Sequence, residues 1–158
     1  MLAAVPADRS VAHGAFTLKR AYDAPAERVW RALTDREAKA KWFGGGPGHW
    51  TEIERSMDVR VGGAERAKVR WPSGVVTTFD AVYLDVVPQA RLVYAYTMHL
   101  DERKISVSLA TMELSPDGPA RTSLKVTEQG AFLDGYDDAG SRERGTAFLL
   151  EKIGESLR

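Results

Sequence analysis

The chain has 158 residues, of which 44% are hydrophobic and 28% are charged, and its 22 basic and 22 acidic side chains balance. This size and composition predict a single soluble globular domain, and the zero net charge provides no overall field that would attract nucleic acid or an anionic membrane. The lack of cysteine excludes disulfides, thiol catalysis and cysteine-ligated metal, and no apolar run approaches the roughly 20 residues of a membrane span, so we predict a cytoplasmic protein with neither nucleic acid nor a membrane as partner.

The chain begins with a polar stretch that is followed by a strand. Residues 1–14 are small and polar without periodicity, which predicts a flexible N-terminal arm ahead of one domain over residues 15–158. From Phe16 onward apolar and polar residues alternate, which predicts a first strand that ends before Pro25.

Two short helices are predicted next. Pro25 suits the first turn of a helix over residues 26–33, and Thr34 or Asp35 can cap a second helix that runs to about Trp42. The glycine-rich residues 44–48 then end the helical region. Since no Lys-Ser/Thr pair follows these glycines, they are predicted to form a flexible connection rather than a phosphate-binding loop.

The middle of the chain alternates between strand patterns and short turns. The predicted strands cover residues 50–55 with a continuation to 61, then 64–71, 75–87, 90–100, 105–114 and 121–129. Short turns between neighbours predict an antiparallel meander.

The last part of the chain, residues 138–157, has the period of an amphipathic helix. The apolar stripe consists of Thr146, Leu149, Leu150, Ile153 and Leu157. Charged side chains, Arg142 among them, are predicted to fill the solvent-facing surface. Because a long helix after a run of strands must bury its stripe, we predict that it packs on the sheet.

Strand parity indicates which side chains face inward. Leu92, Tyr94, Tyr96 and Met98 share one face of their strand and are too bulky and apolar to face water. In the strand over 105–114 the pattern allows either a bulge near its middle or an interior that is partly polar. The strand over 75–87 has apolar residues on both faces, so its inward face stays open.

These inward tyrosines and methionines permit two interpretations. They either fill the core or line a cavity between the sheet and the long helix, because such side chains are typical of ligand pockets. From parity alone both remain open. The basic residues Arg66, Lys68 and Arg70 alternate with apolar ones and are predicted to lie on a solvated outer face rather than to bind nucleic acid.

Three segments resemble one known family. Residues 24–35 (APAERVWRALTD) resemble the AP-x-E-x-V-W-x-A-x-T opening of the activator of heat-shock-protein-90 ATPase homologue family, within the START/Bet v 1 (SRPBCC) superfamily. Residues 58–63 (DVRVGG) resemble its D-x-R-x-G-G turn, and residues 79–93 resemble its F-x-G-x-V-x-E-V-x-P-x-x-R-L-V strand pair. Gly145-Thr146 stands where many relatives carry Gly-Trp, which affects the expected shape of one end of the cavity.

The resemblance implies an α+β helix-grip fold in which a curved antiparallel sheet holds a long C-terminal helix, with a ligand cavity between them. The residues expected to line it are Trp42, Arg60, Trp71, Phe79, Tyr83, Tyr94, Tyr96, Met98, Met112, Glu128, Phe132 and Leu149. Arg60 and Glu128 could orient a polar end of the ligand; the alternatives are a surface ion pair for Arg60 and a strand end outside the sheet for Glu128.

The predicted function is the binding of a small apolar or amphipathic molecule, without a cofactor, a metal or a catalytic residue. The three histidines lack metal-ligand spacing. One alternative is a protein-interaction domain that regulates a chaperone in the stress response, as the family name suggests. Another is a cyclase- or hydratase-like enzyme, which would need a titratable cavity. Phe148 lies opposite the main apolar stripe, which indicates either a wider grip of the helix on the sheet edge or a contact in a homodimer.

Overall fold

A seven-stranded antiparallel sheet and three helices make up the computed structural model, which describes residues 9–44 and 50–158. The strands are β1 (Val11–Tyr22), β2 (Thr51–Met57), β3 (Ala64–Arg70), β4 (Val76–Val87), β5 (Arg91–Leu100), β6 (Arg103–Pro116) and β7 (Thr122–Leu133). The helices are α1 (Ala26–Thr34), α2 (Arg36–Ala40) and α3 (Ala139–Ser156). None of the helices in the described residues is long and apolar enough to cross a membrane.

The sheet has the strand order β1-β7-β6-β5-β4-β3-β2, so β2 to β7 form the predicted meander. The first strand pairs with the last, and Val11 lies opposite Leu133. The curved sheet and the long C-terminal helix confirm the predicted helix-grip fold.

β1 begins at Val11, so the prediction that residues 11–14 belong to a flexible arm is wrong. These residues pair with β7, where Gly14 lies opposite Gly130. Gly14 also lies under the start of α3, because a Cβ at this position would be 2.5 Å from the Cβ of Ala139. Pairing with β7 and close packing against α3 thus hold residues 11–14 in the strand, although their sequence lacks an alternating apolar pattern. Residues 1–8 lie outside the described residues.

Alternation sets the inward faces of β4 and β6 over most of their length, although the neighbours Thr78 and Phe79, and Ile105 and Ser106, are all buried. On β4 Phe79, Ala81 and Tyr83 are buried, while Val82 and Leu84 are exposed. On β6 the inward face is partly polar, which was one of the two interpretations of its sequence. The buried residues are Ser106, Ser108, Ala110 and Met112, while Val107 and Leu109 are exposed.

Side-chain caps position the helices. The Asp35 carboxylate accepts a hydrogen bond from the Ala38 N–H at 2.9 Å, which confirms the predicted cap of α2. Asp138 caps α3 in the same way through the Ser141 N–H at 2.8 Å. The predicted glycine loop after α2 lies outside the described residues, apart from Gly44.

α3 packs against the sheet through the stripe that its sequence predicts. Leu150 and Ile153 are fully buried in the core cluster, and Leu149 and Leu157 pack at its edge. The Tyr22 hydroxyl at the end of β1 donates to the Leu150 carbonyl at 2.7 Å. Burying each such aliphatic side chain is worth about 1.5–3 kcal/mol, so α3 supplies a large part of the core.

A candidate ligand cavity between the sheet and α3

A cavity of about 300 Å³ lies between the inward face of the sheet, the end of α2 and α3. Its walls come from β3 to β7, from the segment that follows α2, and from one side of α3, and they are mostly apolar. A space of this size lies at the lower end of ordinary ligand pockets and suits a ligand the size of a small bicyclic molecule.

Aromatic rings form much of the cavity wall. The centroids of Phe79 and Tyr96 are 4.8 Å apart, and those of Tyr94 and Tyr96 are 5.9 Å apart. Phe43 meets Phe79 edge-on at 5.0 Å. Strand alternation brings these rings to one face, because Phe79, Tyr94 and Tyr96 all hold inward positions on neighbouring strands.

Two tryptophans and Phe148 also line the cavity. The rings of Trp50 and Trp71 meet edge-on at 4.8 Å, and the Trp71 indole N–H donates to the Thr77 hydroxyl at 3.0 Å. Phe148 is 54% exposed and carries the Lys152 ammonium 5.3 Å from its ring centroid. Phe148 therefore belongs to the rim of the cavity, a position that accounts for an apolar side chain away from the main stripe.

The first polar centre at the cavity is the Arg142 network, which consists of Tyr96, Ser106, Glu128, Asp137 and Arg142. The Tyr96 hydroxyl donates to the two Glu128 oxygens at 2.8 and 2.9 Å. Arg142 donates to the Tyr96 oxygen at 2.7 Å, to Ser106 at 2.7 Å and to Asp137 at 3.1 Å, and lies 3.4 Å from Glu128. The network therefore ties α3 to β5, β6 and β7.

Burial controls the protonation of this network. Removal from water raises the pKa of Glu128 above its usual value, although Arg142 and the Tyr96 hydrogen bond oppose this rise. Burial also raises the pKa of Tyr96, and the neighbouring Glu128 carboxylate adds to the effect. Tyr96 thus keeps its proton and donates it to Glu128.

The second polar centre is the Lys39 network of Lys39, Glu65 and Tyr83. The Lys39 ammonium lies 2.8 Å from Glu65 Oε1, and the Tyr83 hydroxyl donates to the same oxygen. The ammonium also lies 4.8 Å from the ring centroid of Phe43 and 5.9 Å from that of Tyr94. α2 is held to β3 and β4 by this buried pair, with its cation surrounded by aromatic faces.

Tyr94 differs from its neighbours because its hydroxyl is not engaged. It lines the cavity and is only 8% exposed. Within residues 9–44 and 50–158 no group forms a hydrogen bond with this hydroxyl. Its oxygen is not fully enclosed by protein, so a molecule in the cavity can reach it. Burial raises the pKa of Tyr94 well above its usual value, with Tyr96 and Glu128 contributing, so the hydroxyl retains its proton.

Most of the predicted site residues lie together. Nine of the twelve line the cavity: Trp42, Trp71, Phe79, Tyr94, Tyr96, Met98, Met112, Glu128 and Leu149. Tyr83 and Phe132 are buried but stand behind the wall, where Tyr83 bonds Glu65 and Phe132 packs on the Arg142 guanidinium at 5.4 Å.

The prediction that Arg60 faces the cavity is wrong. Its side chain is 73% exposed and pairs with Asp58 at 2.7 Å, as in the alternative of a surface ion pair. Arg60 lies in the turn between β2 and β3, where its carbonyl accepts from the Gly63 N–H, and it is Gly62 and Gly63 that bond Tyr83 on the sheet. The Arg60 side chain therefore belongs to the exposed part of the turn.

Sequence reasoning missed Lys39, Glu65 and Arg142. Arg142 was assigned to the solvated surface, yet it lies four residues before Thr146 and eight before Leu150, on the apolar stripe itself. Glu65 has the same inward parity as Ala67. The position of each residue in the helical or strand pattern therefore indicated burial, although a charged side chain is usually exposed.

The described residues show no arrangement of His, Asp and Glu side chains that could hold a metal ion. The chemistry that the geometry offers is instead an apolar space with aromatic walls, two buried ion pairs whose charges are matched within the protein, and the unengaged Tyr94 hydroxyl.

Comparison with known proteins adds the family context. Residues 23–158 match the family model described as Activator of Hsp90 ATPase homolog 1-like protein. A putative uncharacterized protein from Rhizobium leguminosarum is 40% identical with a TM-score of 0.88, and the match covers 95% of this chain and 97% of that one. The Mll3558 protein from Rhizobium loti is also 40% identical, with a TM-score of 0.85 and coverage of 94% and 99%.

A more distant structure, protein CV1439 from Chromobacterium violaceum, is 27% identical with a TM-score of 0.73, and the match covers 90% of this chain and 96% of that one. No curated protein matches the chain significantly. These solved structures therefore extend the comparison of fold, while their names state no activity.

Proposed function

Because this chain belongs to the Activator of Hsp90 ATPase homolog 1-like protein family, we propose that it is a binding protein for a small, mainly apolar molecule. The observation that carries the proposal is the 300 Å³ cavity with its mostly apolar wall. Both buried cations at the cavity already have carboxylate partners, Lys39 with Glu65 and Arg142 with Glu128. A charged ligand would have to displace these partners, so a neutral molecule fits better.

Uptake of a neutral fluorescent probe tests this proposal. We expect N-phenyl-1-naphthylamine to bind the wild type with a fluorescence increase that saturates at one molecule per chain. Thr146 lines the cavity, so Thr146→Trp should fill it and abolish uptake, at a cost in stability of about 1–3 kcal/mol.

The matched control is Glu143→Trp, which places the same side chain at an exposed position of α3. This variant should bind the probe as the wild type does. Absence of uptake by the wild type, or full uptake by a folded Thr146→Trp variant, would contradict the proposal.

The enzyme alternative draws on one observation, the buried Glu128 with its raised pKa at the cavity wall. Both oxygens of this carboxylate already accept hydrogen bonds from Tyr96, and Arg142 lies beside it. Because these contacts with Tyr96 and Arg142 attach α3 to the sheet, the carboxylate is a poorer candidate for proton transfer. We therefore favour the binding function over the enzymatic one.

The homodimer stays a prediction. Phe148, on which it depends, has a second role at the cavity rim. Sedimentation velocity of the wild type and of Phe148→Asp tests the homodimer. We expect a wild-type dimer that dissociates in the variant, and monomers in both samples would contradict the prediction. A chaperone partner likewise stays a prediction.

A further inference from the structure

Most polar groups at the cavity wall are already used within the protein. Tyr96, Glu128 and Arg142 satisfy one another, and Lys39 is paired with Glu65. Thr146, on α3, is only half-buried. Against this background the Tyr94 hydroxyl stands out, since it is more than nine-tenths buried and has no hydrogen-bond partner among the described residues.

Polar atoms of buried side chains usually bond within the protein, so a hydroxyl that reaches a cavity without such a partner is unusual. A ligand that supplies the missing partner gains a hydrogen bond which a purely apolar ligand of the same shape cannot make. Such a site therefore discriminates between the two molecules, because the analogue leaves the donor unpaired.

The surroundings of Tyr94 indicate which partner it needs. A phenol donates better than it accepts, since its oxygen lone pair is delocalised into the ring. Burial and the nearby Tyr96, Glu128 and Glu65 side chains raise the pKa of Tyr94, so its hydroxyl keeps the proton that it can donate. Both features favour a hydrogen-bond acceptor on the ligand, such as a carbonyl oxygen.

The walls around Tyr94 suit a flat aromatic body. Phe79 and Tyr96 lie 6.1 and 5.9 Å from it, centroid to centroid. Met98 and Met112 add thioethers, which contact ring edges favourably. Rings in tilted and edge-on arrangements offer both faces and edges to a further ring.

We propose that the ligand class of this cavity is an aromatic molecule that carries a carbonyl or equivalent neutral acceptor, and that the Tyr94 hydroxyl donates a hydrogen bond to this acceptor. This inference rests on the proposed function, which places a small apolar ligand in the same cavity. It goes further by naming the donor and the group that the donor recognises.

The test compares two ligands of nearly equal shape, 2-acetylnaphthalene and 2-ethylnaphthalene, by isothermal titration calorimetry. The wild type should bind the ketone about tenfold more tightly, the value of one ordinary hydrogen bond. Tyr94→Phe should bind the two equally and should hold 2-ethylnaphthalene as well as the wild type does. Tyr136→Phe, which changes an exposed tyrosine, is the control and should keep the tenfold preference.

The outcomes separate the two proposals. If the wild type binds both molecules equally, or if Tyr94→Phe keeps the preference, the role of Tyr94 is overturned while the cavity remains a binding site. If neither molecule binds, this ligand class is overturned, and uptake of N-phenyl-1-naphthylamine alone decides the proposed function. Should Tyr94→Phe not fold, the infrared carbonyl band of bound 2-acetylnaphthalene gives the answer in the wild type: a shift to lower frequency supports the hydrogen bond and an unshifted band overturns it.

Discussion

Two buried ion pairs border the cavity, and each ties one helix to the sheet. Lys39 of α2 pairs with Glu65 of β3, and Arg142 of α3 pairs with Glu128 of β7. In both networks a tyrosine hydroxyl donates to the carboxylate. The same three-part arrangement therefore holds the short helix and the long one.

The two networks differ in how widely the cation is shared. Arg142 donates to Tyr96, Ser106 and Asp137 besides lying near Glu128, whereas Lys39 has Glu65 as its carboxylate partner and aromatic rings around it. The Lys39 pair is also more completely buried, with side chains 5% and 1% exposed against 10% and 5%. We conclude that the Lys39 network relies on one carboxylate, while the Arg142 network has several hydrogen bonds that can partly replace one another.

The largest effect is expected from Lys39→Met, which leaves Glu65 as a buried charge without a cation. Removing one partner of a buried pair costs about 3–5 kcal/mol, so the free energy of unfolding in urea should fall by that amount. Lys41→Met, at an exposed position nearby, should change it by about 0.5 kcal/mol or less.

The double variant Lys39→Met/Glu65→Gln sharpens this prediction. It removes both charges and keeps an acceptor for the Tyr83 hydroxyl, so a substantial part of the lost stability should return. If Lys39→Met alone unfolds as the wild type does, the contrast between the two networks is wrong.

A smaller loss, about 1–3 kcal/mol near neutral pH, is expected for Arg142→Met. Glu128 escapes the full penalty of an unpaired charge because it can take up a proton. Burial already holds its native pKa above the usual 4.5, and without the opposing charge of Arg142 the pKa should rise further.

The sign of the pH dependence follows from this shift. Between pH 4.5 and the raised native pKa the folded state binds more protons than the unfolded state, so stability falls as the pH rises through that window. The deficit of Arg142→Met relative to the wild type should therefore shrink as the pH is lowered toward 4.5. Arg144→Met, exposed on the same helix, should show a constant difference, and a deficit that widens on acidification would refute the argument.

The smallest effects are expected from the two tyrosine hydroxyls. Tyr83→Phe and Tyr96→Phe each remove one donor to a buried carboxylate, at a cost of about 1 kcal/mol or slightly more. Tyr83→Phe should cost more, because Oε2 of Glu65 already lacks a partner among the described residues. Thermal unfolding of both variants measures the order, and an equal or larger loss for Tyr96→Phe would contradict the prediction.

Sequence reasoning located the strands, α3 and the inward tyrosines because strand parity and helical period depend on local spacing. It failed at Arg142, where a cation on an apolar stripe is buried only because Glu128 and Asp137 lie opposite it. Arg60 shows the reverse error, since a shared turn motif says little about which way its side chain points. The burial of Arg142 also depends on Tyr96 and Ser106, on distant strands, and the turn that carries Arg60 is fixed by backbone bonds to Tyr83. No local sequence pattern contains these contacts.

The pairing of β1 with β7 also determines when the sheet can be completed during synthesis. Val11 leaves the ribosome long before Leu133, its partner at the far end of the chain. Until then one edge of the growing sheet has no neighbour, and the backbone groups of the first strand depend on water. α3, which follows β7, is made later still, so the nascent chain exposes the aromatic face of the future cavity until Ala139–Ser156 have been synthesised.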